Sequence, residues 1–425
     1  TIQSSSNTSL IPTSNIVITG SGTSCTANMT PVSGEYGISN LVFLLTDNGS
    51  PMPAKTVTGS YELTVVCPTE TMNLAFTALS HDLDGQVLLE STGSTMNINW
   101  GDGSSEPING FLTHSYSSAG NKNISVSGCL QDITKINLLQ DPYHLHGYSF
   151  FSGSLPDLSS LTSLESLNLT VNKFSGTLPV GAFDNNLDLV ELDLSENNFS
   201  GSLPIGIFEN NLSLEVLNLA LNQFSGSIAV ELIENNTNLK TIYLSANQFS
   251  GSIPLGIFDN NTDLEILGLG FNNLSGALPA GIFNNNVNLF SISLKGNQLS
   301  GSLPAGIFDN NLVLSSLSLH SNQFSGSLPS SIFDNNLLLS KLFINDNQFT
   351  NGVDLHNHTE MVFLYAHNNN FNVSSINNFL IDVDTSGAPV SIVRVQGQSP
   401  SAPPSGSGVT AKNNLISSGV TVLTD

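Results

Sequence analysis

Basic residues are scarce in this 425-residue chain: 9 lysines and arginines stand against 33 aspartates and glutamates, a net charge of −24. A chain so acidic repels phosphate backbones and anionic headgroups at long range, which makes nucleic acid and membrane surfaces poor partners. Cysteine is nearly absent. Cys25, Cys67 and Cys129 have no C-x-x-C spacing, so neither a zinc knuckle nor a dithiol redox motif is encoded. No apolar run approaches the roughly 20 residues that span a bilayer. No Ser-His-Asp order, nucleophile elbow, phosphate loop or dinucleotide fingerprint is found, so the sequence points to no enzyme and calls for no cofactor.

What is present is a hydrophobic fraction of 39%, enough to bury cores in two or three domains, and a surface left to Ser, Thr, Asn and Gly because only 10% of residues are charged. Such a surface resembles that of secreted proteins. Thr1 is neither an initiating Met nor the start of a signal peptide, so the chain reads as a mature or trimmed piece. Under oxidising conditions a Cys25–Cys67 bridge closes a loop worth roughly 3 to 4 kcal/mol by chain entropy.

In the first third, short apolar runs alternate with turn residues: Ile16-Val17-Ile18, Leu41 to Leu45, Asp47-Asn48-Gly49-Ser50 and Leu63 to Val66. This punctuation predicts antiparallel strands. With Met29-Thr30-Pro31-Val32 and Leu45-Thr46-Asp47, residues 1–67 resemble an Ig-like or cadherin-like β domain. Further on, Trp100-Gly101-Asp102-Gly103, then His114-Ser115-Tyr116, then the strand Asn123 to Val126 make residues 68–129 resemble a PKD-type β-sandwich. Trp100 is expected in its core and Asp102 in a self-bonded turn. Asp82-Leu83-Asp84-Gly85 offers half of a calcium loop, but the distal Glu is missing.

The middle of the chain is a repeat. Asn172, Asn197, Asn222, Asn247, Asn272, Asn297, Asn322 and Asn347 stand 25 residues apart. Leu214-Glu215-Val216-Leu217-Asn218-Leu219-Ala220-Leu221-Asn222-Gln223-Phe224 shows the pattern L-x-x-L-x-L-x-x-N-x-F. Residues 130–376 therefore resemble the leucine-rich-repeat family, and the Phe-x-Asn-Asn step resembles repeats of secreted proteins from Bacteroidetes-like bacteria. The resemblance implies a mainly β solenoid with parallel strands on a concave face, following two small N-terminal β-sandwich domains. Residues 377–425 then close it as a C-terminal cap. The alternating leucines are expected inside and the asparagine in a ladder between turns. One phenylalanine column, from Phe174 to Phe371 with Leu274 and Leu299 substituting, should form a spine. A second, Phe183 to Phe333, should line the convex side. The paired asparagines, such as Asn210-Asn211, are expected to serve the fold by capping short helical turns.

A ligand is then left to the outward positions six, four, two and one residues before each ladder asparagine. Toward the C-terminal end these carry Tyr243, Phe271, His320, Lys341, Phe343, Phe363, Tyr365 and His367, and outward aromatics mark interfaces or sugar platforms. Competing sites are weaker. Glu191 and Asp193, about 7 Å apart on one strand face, have the separation of glycosidase carboxylates but no enclosure. His356 with His358, and His144 with His146, have strand-alternate spacing without a third metal ligand. The sequence thus predicts a non-enzymatic extracellular or cell-surface protein that binds a protein or polysaccharide, with self-assembly into a filament, sheath or surface layer as the alternative.

Overall fold

The computed structural model describes residues 2–6, 8, 11–21, 24–29, 37–46, 56–65, 70–78, 84–92, 96–108, 110–138, 150–352 and 354–425. Cys67, Asp82, Asn48-Gly49, Thr30 to Val32 and the His144/His146 pair lie outside them. The chain divides into two compact units, Thr1–Glu70 and Thr71–Asp425. In the first, strands Ile2–Ser5, Gly37–Thr46 and Thr56–Val65 form an antiparallel sheet, and Ile16–Ser21 pairs with Ser24–Met29. Ile11, Ile16 and Leu41 are its buried core.

The second unit is a solenoid with two sheets, one of 14 strands and one of 13. Each rung follows the same path. A three-residue strand such as Val216–Asn218 joins the concave sheet, with Leu217 buried and its neighbours facing outward. The residue before the ladder asparagine then turns in a left-handed conformation, Leu221 at φ 57° and even the β-branched Val171 at φ 56°. Such a turn costs roughly 1–2 kcal/mol for a side-chain-bearing residue, so the ladder must over-determine it. A second strand, Gln223–Ser227, joins the opposite sheet, and tight turns return the chain.

Two asparagine ladders hold the rungs. Asn197 donates through Nδ2 to the carbonyls of Leu169, Leu194 and Ser195 at 2.8, 3.2 and 3.0 Å, and its Oδ1 accepts the Phe174 N–H at 2.9 Å. Its copies repeat the pattern through Asn369. The second ladder comes from the second asparagine of each pair. Asn311 is fully buried and donates to the carbonyls of Phe283 and Asn286 at 3.2 and 2.8 Å, whereas Asn310 is exposed with one bond to Asn284. The pairs therefore serve the fold as expected, but as a rung-to-rung ladder rather than as caps. Both aromatic columns are interior, with stacked centroids 6.1 Å apart for Phe174–Phe199 and 6.0 Å for Phe283–Phe308.

An open solenoid end exposes core and strand edges, and both ends are covered here. At the N-terminal side Ile133–Asn137 runs parallel to Ser166–Asn168 and antiparallel to Asp84–Ser91. Phe150–Gly153 likewise bridges Lys173–Gly176 and Glu70–Ala78. The strands of residues 71–138 thus continue the two solenoid sheets. Trp100 is buried as expected, its Nε1 donating to Glu106 at 2.8 Å, and the Tyr116 hydroxyl donates to the Trp100 carbonyl at 2.9 Å. Asp102 accepts the Ser104 N–H and hydroxyl and the His114 ring, and these bonds, Ser104 first, hold its carboxyl far below the usual range. Cys129 is disulfide-bonded, a pairing that a reading confined to Cys25 and Cys67 did not weigh.

At the C-terminal end the concave sheet continues past Phe363–Tyr365 into Ile392–Arg394 and Thr421–Leu423, in parallel register. Helix Val373–Ser386 replaces the usual convex turn, burying Ile376, Phe379, Leu380 and Val383 at three- and four-residue spacing. Asn372 caps it by accepting the Ser375 N–H at 2.9 Å, and Gly387 ends it in the left-handed region. Gln398 takes over the ladder role, accepting from the Phe371 N–H at 3.1 Å and donating to the carbonyls of Ala366, Val395 and Gln396.

Candidate ligand-binding face

The two sheets carry different information on their outer faces. On the 13-stranded sheet the outward residues repeat: Asn or Gln at 198, 223, 248, 273, 298, 323 and 348, then Ser at 200, 225, 250, 275, 300 and 325. On the concave sheet the outward residues change from rung to rung. The fold leaves such positions free, so variation on one sheet alone locates the face that is individually specified.

All eight sequence-predicted residues lie on or beside the concave sheet, and five of them come together. Strand register sets Phe343 beside Tyr365 and Tyr365 beside Arg394, and likewise Lys341 beside Phe363. Phe343 and Tyr365 meet edge to face at 5.0 Å, Phe363 meets Tyr365 at 6.4 Å, and His320 meets Phe343 at 6.4 Å. His367 lies 6.0 Å from Tyr365. Tyr243 and Phe271 stand apart on earlier rungs, and Lys341 is exposed at the margin.

Sequence reading missed Arg394, Gln396 and Asn345. The Arg394 guanidinium lies 4.7 Å from the Tyr365 ring centroid, a cation–π contact. Its strand sits beyond the last asparagine, and the available signal was Val393-x-Val395 followed by Gln398 in the asparagine's place. Four polar atoms of this patch have no hydrogen-bond partner: Asn345 Oδ1, His367 Nδ1, Arg394 Nε and Gln396 Oε1. Asn345 is only 7% exposed. These atoms are enclosed rather than exposed, like the Oδ1 atoms of the second ladder from Asn186 to Asn336, so it is the half-buried rings and the Arg394 guanidinium that the patch presents outward.

Asp346 is the carboxylate of the patch. Asn345 and Asn368 donate to it at 2.5 and 2.6 Å, and His367 Nε2 lies 3.9 Å away. Burial pushes the His320 and His367 rings down from their ordinary values, with Lys295 and Arg394 respectively acting in the same direction. Both are therefore neutral near pH 7.

The competing sites resolve as structure. Asp193 accepts the Ser195 N–H and hydroxyl and the Asn218 amide, while Glu191 accepts the Ser166 hydroxyl at 3.0 Å. His356 is exposed and paired with Asp354, whereas His358 is buried two residues later, so the two rings do not converge. Among the described residues no three His, Cys, Asp or Glu side chains gather around a metal position. A polar cleft of about 580 Å³ beside helix Val373–Ser386 holds Asp354 and Asp382. Asp382 accepts the Leu355 N–H at 3.1 Å, and burial raises its carboxyl.

The Leucine Rich Repeat sequence profile matches residues 188–210, 238–260 and 313–335, three rungs of this ladder. Those three rungs are leucine-rich repeats by that match, and the rungs between them share their ladder and burial pattern. No curated protein matches the sequence. Among solved structures, this chain is similar to a TDR receptor at 30% identity and TM-score 0.53, over 60% of this chain and 42% of the receptor. It is also similar to the plant peptide hormone receptor RGFR1 in complex with RGF2, at 25% identity and TM-score 0.49, over 62% of this chain and 44% of that one. An internalin from Listeria monocytogenes is 21% identical at TM-score 0.48, over 63% of this chain and 68% of the internalin. The chain spans under half the length of the two receptors. Among the described residues no helix is long and apolar enough to cross a membrane.

Proposed function

We propose that this leucine-rich-repeat protein is a non-enzymatic recognition protein working outside the cell or at its surface, binding a protein or polysaccharide through the C-terminal half of its concave sheet. The observation that carries this reading is the cluster of His320, Phe343, Phe363, Tyr365 and Arg394 on adjacent rungs, on the face whose outward residues vary. Likeness to a TDR receptor supports recognition as the role. In this reading residues 1–67 and 68–129 are the Ig/cadherin-like and PKD-like spacers of a bacterial surface protein, 130–376 is the recognition solenoid and 377–425 its closing segment.

The test is capture on glycan and protein arrays by the full chain, by Phe343→Ala/Tyr365→Ala, and by Gln223→Ala/Gln248→Ala on the opposite sheet. The aromatic variant is expected to lose at least about tenfold in affinity, as central anchors do, and the glutamine variant to bind as the parent. Equal binding by the aromatic variant, at unchanged melting temperature, contradicts the reading.

A further inference from the structure

Tyr243 and Phe271 lie four and three rungs before Phe343, and their surroundings are built rather than incidental. Gly268 and Gly270, on the strand Ile266–Gly268 and just beyond it, do not adopt the left-handed backbone that would by itself call for glycine. They are small because neighbouring rungs lean over them. A Cβ at Gly268 would stand 2.7 Å from Tyr243 Cδ1, and one at Gly270 would stand 2.9 Å from Lys295 Cγ. Phe271 lies over Gly296, a left-handed glycine at φ 64° whose Cβ would meet its ring at 2.5 Å. The rings are thus laid along the sheet, Phe271 with half its surface exposed and the Lys295 ammonium 5.1 Å from its centroid.

Charge on the concave face is segregated along the solenoid. The outward positions of the rungs from Glu191 to Ala246 carry Glu191, Asp193 and Glu196 and no cation. Those from Ile266 to Gln396 carry Lys295, Lys341 and Arg394, three of the chain's nine basic residues, against the single carboxylate of Asp346, which two amides already occupy. The three cations recur on every second rung, an axial interval of about 10 Å at sheet spacing. The three stand at different positions across the strand, two, six and four residues before Asn297, Asn347 and Gln398, and together they make this stretch of the face locally cationic in a chain whose net charge of −24 opposes polyanions at long range.

We propose that Tyr243, Phe271 and Lys295 form a second subsite, and that one chain of an acidic polysaccharide lies along the concave sheet from there to Arg394. Pyranose faces stack on the aromatic rings, and uronate carboxylates pair with the lysines and the arginine. The carboxylates on the earlier rungs repel the polymer and set where it ends. This rests on the concave face being the ligand surface, as proposed above.

The test is calorimetric titration of the full chain with alginate, with its tetrasaccharide and with a neutral β-glucan of matching length, at low and high salt. Alginate is expected to bind, more weakly as salt rises, and the β-glucan to bind at least about tenfold more weakly. Tyr243→Ala/Phe271→Ala should weaken the polymer by about tenfold or more through loss of the second contact, while leaving the tetrasaccharide bound at the Phe343–Tyr365 patch. Gly268→Ala, which lifts the Tyr243 ring without removing it, should reproduce part of that loss in a chain that melts normally. Polymer affinity unchanged in both variants, with Phe343→Ala/Tyr365→Ala abolishing it, overturns the second subsite and leaves the recognition reading standing. Equal binding of the neutral glucan, or capture of a protein with no response to alginate, overturns the polyuronate. Alginate binding that no concave variant alters overturns both.

Discussion

Asn197 accepts the backbone N–H of Phe174 through its side-chain carbonyl at 2.9 Å, and that bond joins two rungs 23 residues apart in sequence. Every hydrogen-bonding group of the asparagine is in use, and the phenylalanine it fixes stacks on Phe199. One amide therefore closes its own turn, ties it to the preceding one and places an aromatic ring in the spine.

The two ladders and the exposed asparagines should separate cleanly on mutation. Asn247→Ala removes an acceptor for the Phe224 N–H and donors to three carbonyls, and is expected to cost about 3–5 kcal/mol. Asn311→Ala leaves two carbonyls short and should cost about 2–3 kcal/mol. Asn310→Ala, next door and exposed, should stay within about 0.5 kcal/mol. Urea midpoints of the three variants check the order, and an Asn310 variant as damaged as Asn311 would refute the division of labour.

The aromatic columns predict a graded response. Leu274 and Leu299 already occupy the spine, fully buried, so Phe224→Leu should cost less than about 1.5 kcal/mol. Phe224→Ala opens a cavity between Phe199 and Phe249 and should cost about 3–5 kcal/mol. Equal losses in thermal unfolding would mean that ring packing, rather than filled volume, sets stability.

His358 stands where the convex ladder has asparagine, 22 residues after Asn336, and it is almost fully buried. Its ring leans toward the carbonyls of Phe333 and Leu355 without closing a hydrogen bond of ordinary geometry, and burial pushes its pKa below 6.5. Because the folded chain resists protonation that the unfolded chain accepts, this stability is full above about pH 6.5 and is lost as pH falls through that value. His320 and His367 act with the same sign, whereas exposed His356 shifts upward beside Asp354 and opposes them. Melting temperatures at pH 7 and 5 should fall less for His358→Asn than for the parent, and identical declines would count against this origin.

The solenoid was legible because burial repeats. Leu217, Leu219, Asn222 and Phe224 are dictated by neighbours that are copies of themselves, so periodicity in sequence becomes periodicity in space. The second ladder was harder to read, since Asn210 and Asn211 are alike as letters and differ only in which side of the turn they face. The rung at Ile392–Arg394 was hidden for a related reason: a helix replaced the turn and Gln398 replaced the asparagine, so the spacing broke while the hydrogen bonds persisted. Arg394, Gln396 and the Gly268 notch depend on contacts between rungs, which no single repeat records.

The most direct test of the recognition face is amide hydrogen exchange of the full chain with and without alginate. Slowed exchange confined to the concave strands from Thr241–Tyr243 through Ser291–Ser293 and Ser316–Ser318 to Ile392–Arg394, with Gln223–Ser227 and Gln323–Ser327 unchanged, is the predicted result. Protection on the glutamine- and serine-lined sheet instead, with none on the concave strands, would contradict it.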